Sequence, residues 1–130
     1  MGIPHKLASR GIRVLPLEML LRPSDAETGR ERTDQIYWGM GQRICRAADV
    51  VRDHPQLFAI YVSNFSCGPD SFLMKYVRDR MGRKPTLTLE LDSHTADAGL
   101  DTRIEAFLDV VKAWRNQRAP KNRQNRRNPI

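Results

Sequence analysis

The chain has 130 residues, 40% of them hydrophobic and 28% charged, with a formal net charge of +7 at pH 7. That length suits one domain with a modest core, and the composition is ordinary for a soluble globular protein. No apolar run approaches the roughly 20 residues of a membrane span, the start Met1-Gly2-Ile3-Pro4-His5-Lys6 has no secretory apolar stretch, and Lys6 stands where a myristoylation signal needs Ser or Thr. The expectation is a cytoplasmic chain with no membrane partner.

The positive charge collects at one end. Arg115, Arg118, Lys121, Arg123, Arg126 and Arg127 fall within 115–130 without an acid among them, and without these six the residues 1–114 carry +1. The division predicted is a folded domain over 1–114 and a basic, disordered tail over 115–130, unpacked from about residue 116, because Asn, Gln, Pro and Arg bury too little apolar surface to offset ordering. Such a tail meets RNA or other anionic surfaces only through unspecific electrostatics. No aromatic alternates with its arginines as in single-strand binders, so no specific nucleic-acid partner is expected.

In chain order, residues 3 to 9 read as a short helical segment with Gly11 as a left-handed stop. Ile12, Val14, Leu15 and Leu17 form an apolar run that ends at Glu18 and reads as a strand. The polar stretch Arg22 to Arg32 has no period and reads as a long loop. From Asp34, the residues Ile36, Met40, Ile44, Ala47, Ala48 and Val51 recur at helical spacing, and Pro55 bounds that helix. Leu57 to Phe65 is rich in branched and aromatic residues, a strand bounded by the turn residues Ser66, Cys67, Gly68 and Pro69. Phe72, Leu73, Tyr76 and Val77 give the next helical face, stopped by Gly82. Leu87, Leu89 and Leu91 alternate with Thr86, Thr88 and Glu90 as in a strand. After a polar loop from Asp92 to Gly99, Thr102 and Glu105 stand in capping-box spacing at the head of a last helix. Its inner face is Ile104, Phe107, Leu108 and Val111, and its end falls near Trp114.

This β-α-β-α-β-α order predicts a small three-layer α/β domain: a parallel sheet with helices on its faces, like half of a Rossmann or flavodoxin fold. The carboxyl ends of parallel strands share one edge, and ligands bind in the crevice there. Glu18, the segment Asn64 to Asp70 and the loop Asp92 to Asp97 are therefore expected on that edge.

Two cysteines occur, Cys45 and Cys67, in no CxxC pattern, so zinc-finger and thioredoxin readings lack their spacing. Cys67 lies between a strand end and a helix start, where Gly68 permits a tight turn and Pro69 suits the first helical turn. A helix N-terminus favours an anion, which makes Cys67 a candidate nucleophile or metal ligand; the bland alternative is a small hydrophobe filling the turn. Cys45 lies mid-helix beside the apolar face and reads as packing. Asp92, His94 and Asp97 with Cys67 admit a metal or Cys–His–Asp site, although their spacing fits no specific motif and a lone His in a polar loop is usually solvated. Glu90 and Asp92, two apart on a strand, face one side, where like charges can raise a pKa; equally, Glu90 faces solvent. No GxGxxG or GKS/T follows a strand, so no nucleotide site is expected in this chain.

The strings NFSCGPDSFLMKYV (64–77) and LTLELDSHTADAGLDTRIEAFLDVV (87–111), with IPHKLASRGIRVLPLEML and YWGMGQRICRAADVV upstream, resemble the C-terminal part of the large CoA-substrate-specific enzyme activases. In that family, ATPase activator domains are joined to a segment related to the 2-hydroxyacyl-CoA dehydratase subunits, and the likeness covers roughly residues 3 to 115. The resemblance implies an iron–sulfur cluster shared with other chains, with Cys67 as its metal ligand here and Asp70, Asp92, His94 and Asp97 lining the same crevice. A four-iron cluster takes about four protein ligands, and the family's ATPase motifs are absent from this sequence. The reading is therefore a partial module, or a truncated remnant, with no turnover alone. Its expected partners are other subunits or segments of a dehydratase–activase assembly, or further copies through an open sheet edge. A thiol-dependent enzyme using Cys67 with His94, and a non-catalytic α/β interaction module, are the alternatives.

Overall fold

The computed structural model describes residues 2–22, 39–64, 68–92 and 97–119. Among them the order is α1 (Ile3–Ala8), α2 (Leu17–Leu20), α3 (Gly39–Asp53), β1 (Ala59–Asn64), α4 (Gly68–Met81), β2 (Thr86–Leu91) and α5 (Asp97–Arg118). The chain is thus mixed α/β, and β1 and β2 pair in parallel as a two-stranded sheet, with Ala59 opposite Thr86 and Asn64 opposite Leu91.

The core lies where α3 and α4 meet β1. Both helices place apolar side chains at three- and four-residue intervals, Ala48 and Val51 on α3 and Leu73, Val77 and Met81 on α4. Ala48, Val51, Val77 and Met81 form one buried cluster, and Ile44, Leu57, Ala59 and Tyr61 pack against it. Alanine at 48 lets the helices approach closely, and each buried Val or Met contributes about 1.5–3 kcal/mol relative to exposure. Phe72 is no part of this face: it is 45% exposed and lies against Tyr76, with ring centroids 4.9 Å apart. Leu89 of β2 and Leu100 and Ile104 of α5 are fully buried where that helix meets the sheet.

Two polar devices fasten the ends. The amine of the buried Lys84 donates to the carbonyls of Val51 and His54, supplying partners for groups that the end of α3 leaves over. Its Nζ also stands 5.0 Å from the centre of the Phe58 ring. At the other side, α1 is tied to α5: Lys6 to Asp101 at 2.8 Å, Arg10 to Asp101 at 3.1 Å and Arg10 to Glu105 at 2.9 Å. The α1 segment ends as expected, with Gly11 at φ 73° turning the chain away.

Three expectations are corrected. The run Ile12–Leu17 makes no strand: residues 12–16 have no regular structure, and Leu17–Leu20 form the short helix α2 behind an extended Pro16. Pro16 removes a donor from any ladder and suits the start of a helix instead. Glu18 therefore sits exposed on α2 and not at a strand end. The last helix starts at Asp97, not at Thr102, whose hydroxyl donates back to the Ala98 carbonyl at 3.0 Å inside the helix. It also continues to Arg118, so residues 115–118 are the last turn of a helix and the boundary at 114 falls within it. Residues 120–130 lie outside the described residues.

Candidate functional site

Because β1 and β2 run in parallel and in register, they deliver the chain on the same side, Asn64 beside Leu91. Leaving β1, the chain passes 65–67 and enters α4, whose first turn carries Asp70, an acid where the helix N-terminus favours one. The Asn64 backbone N–H donates to Oδ2 of Asp70 at 3.4 Å, a long bond that ties the end of β1 to the head of α4. Leaving β2, the chain passes the exposed Asp92 and regains regular structure at Asp97, in the first turn of α5. The structure thus brings Asp70 and Asp92 to the carboxyl edge of the sheet, and Asp97 opens the helix that follows it. Glu90 is exposed, opposite Ser63 in the pairing, as its solvent-facing reading expects.

Cys67 and His94, the expected metal ligand and its crevice neighbour, lie outside the described residues. Among the described residues no group of three or more His, Cys, Asp and Glu stands close enough to hold a metal ion. Cys45 is wholly buried with Leu73 between α3 and α4. Burial pushes its thiol up, Asp49 adds to that, and the nearby Arg80 opposes it. A thiol kept protonated in this way is neither nucleophile nor ligand, so Cys45 is packing.

These facts decide how an iron–sulfur cluster fits. A four-iron cluster takes about four cysteine thiolates, Cys45 is taken up by the core, and Cys67 is the one further cysteine of the sequence. The residues of this chain do not fit a complete cluster site. What the sequence offers is one further thiol, and the structure adds Asp70 and Asp92 at the carboxyl edge.

Sequence reasoning did not single out Arg13 and assigned Arg115 to the basic tail, yet both line an apolar groove between α1, β1 and α5. A signal existed for the second: Arg115 stands four residues after Val111, on the face of α5 that looks inward.

Comparison with protein-family models gives no match, and neither curated proteins nor solved structures give one. No helix among the described residues is long and apolar enough to cross a membrane.

Proposed function

We propose that the chain is a partial module of an acyl-CoA dehydratase or activase-like iron–sulfur system. It supplies Cys67 as a cluster ligand, with Asp70, Asp92, His94 and Asp97 as crevice residues, to a site completed by other chains. The observation that carries this reading is the parallel, in-register pairing of β1 with β2. Of the two strings that carry the resemblance, FSCGPDSF follows directly on β1 and ELDSHTADAG spans the end of β2. Helices pack on Ala59 and Tyr61, and the neighbouring Ile60 and Val62 line a groove with α5, which supports a three-layer, Rossmann-like half-domain.

In this reading Cys67 precedes α4 in the sequence, and a helix N-terminus favours an anion. The carboxylates keep the edge polar and wet. A cluster bound there would supply one-electron chemistry, with Cys67 as its ligand from this chain.

Anaerobic reconstitution with ferrous iron and sulfide, in the presence of co-expressed dehydratase-type subunits, tests the proposal. Charge-transfer absorption lost in Cys67→Ala and kept in Cys45→Ala is expected. Equal absorption in wild type and Cys67→Ala sinks it. Metal-independent alkylation of Cys67, with a pH profile well below that of an ordinary thiol, would instead favour a thiol enzyme.

A further inference from the structure

Between α1, the irregular segment 12–16, β1 and α5 runs a groove of about 540 Å³. Leu7, Leu15, Ile60, Val62, Phe107 and Val111 are among the side chains that line it. Its size falls within the roughly 300–1,000 Å³ of small-molecule pockets. The described residues leave apolar surface open there: Val14 is 44% exposed, Leu15 47% and Val62 46%. That is a standing cost in water which an occupant would remove.

The charge on the groove is one-sided. Among the described residues its polar lining is Arg13, Gln56 and Arg115, with no acid. Elsewhere arginines are paired with carboxylates, Arg10 with Asp101 and Glu105, Arg52 with Asp49 and Asp53 on its own helix, Arg80 with Asp49. Arg13 and Arg115 have no carboxylate partner among the described residues. Both are exposed and so stand at the rim, above an apolar floor.

From this combination we infer that the groove binds a small amphiphilic carboxylate, a fatty acid of medium chain length. Its tail lies along Ile60, Val62, Phe107 and Val111, and its carboxylate meets the guanidiniums of Arg13 and Arg115. Guanidinium suits this role because its planar donors match a carboxylate two by two. The site goes beyond the proposed function: its described lining includes none of Asp70, Asp92 and Asp97.

Isothermal titration of the full chain at neutral pH, below the micelle range, decides it. The probes are decanoate, decanol and decyltrimethylammonium. Saturable binding of decanoate with one site is expected, with the cation at least tenfold weaker. Arg13→Gln with Arg115→Gln should weaken decanoate by roughly tenfold and leave decanol unchanged. Val62→Asp, at a half-exposed position, should abolish binding while the circular dichroism spectrum stays that of the wild type. Equal affinity for decanoate and the cation overturns the inference, as does an unaltered affinity in the double arginine variant. So does a failure of decanoate to saturate, including the case where sedimentation shows two copies closing over Val62.

Discussion

Arg80 of α4 reaches Asp49 of α3 at 2.6 Å, and the same guanidinium lies close enough to the buried Cys45 thiol to act on its titration. One side chain therefore joins the two helices that carry the core, and it does so at a partly buried place where screening is weak. Asp49 keeps a second partner in Arg52 at 3.0 Å, so losing Arg80 does not leave that carboxylate bare. Arg80→Leu should cost about 1–2 kcal/mol, more than an exposed pair and less than a buried one broken outright. Urea denaturation of wild type and variant measures this, and no change would show the bridge to be ornamental.

Lys84 gives a pH dependence of known sign. Burial pushes its amine below the usual lysine range, the nearby Arg118 adds to this, and Asp53 opposes it. The unfolded chain therefore holds a proton that the folded chain has given up, over the window between the folded and the ordinary lysine value. Stability of the wild type rises with pH across that alkaline window, relative to Lys84→Met, and is flat below it. At neutral pH the same variant leaves the Val51 and His54 carbonyls without their donor and should lose about 1–3 kcal/mol. Thermal melts of both proteins from neutral to alkaline pH give the two readings together.

The tie between α1 and α5 has the same sign, in an acid window instead of an alkaline one. The Asp101 carboxyl is held below the usual carboxylate range, first by Lys6 and then by Arg10. Its contribution is complete above the ordinary carboxylate value and is lost as pH falls through the lowered one. The melting-temperature difference between wild type and Asp101→Asn should therefore shrink on acidification. It should shrink also with added salt, in part, since the pair is only partly buried. A difference that survives both would mean that Asp101 acts through something other than charge.

The middle of the chain was legible because its periods are clean. Leu87, Leu89 and Leu91 against Thr86, Thr88 and Glu90 allow one reading, and the strand at 86–91 follows. The same holds for Leu73 and Val77 ahead of Gly82, which stops α4 with φ 57°. Ile12–Leu17 misled because it has the composition of a strand, while Pro16 denies it a ladder. At α5 a capping-box spacing outweighed a better signal, since Leu100, Ile104, Phe107 and Val111 already recur at four, three and four residues. Of the carboxyl-edge residues, Asp70 and Asp92 follow from strand order alone. The groove was not legible, because it is assembled from residues on five helices and strands and the segments between them, whose convergence depends on packing.

The pairing of β1 with β2 sets a limit on how the molecule can fold. Ala59 finds Thr86 only after the chain has gone out through α4 and come back. No hairpin can start this sheet, so the search for it involves closing a long loop whose entropy is lost before any ladder bond returns it. Helix α4 shortens that search if it forms early, since a wound segment spans the return path with few conformations. The rate-limiting encounter then falls to the docking of α4 on α3 and β1, around Val77 and Met81, and the strands register afterwards.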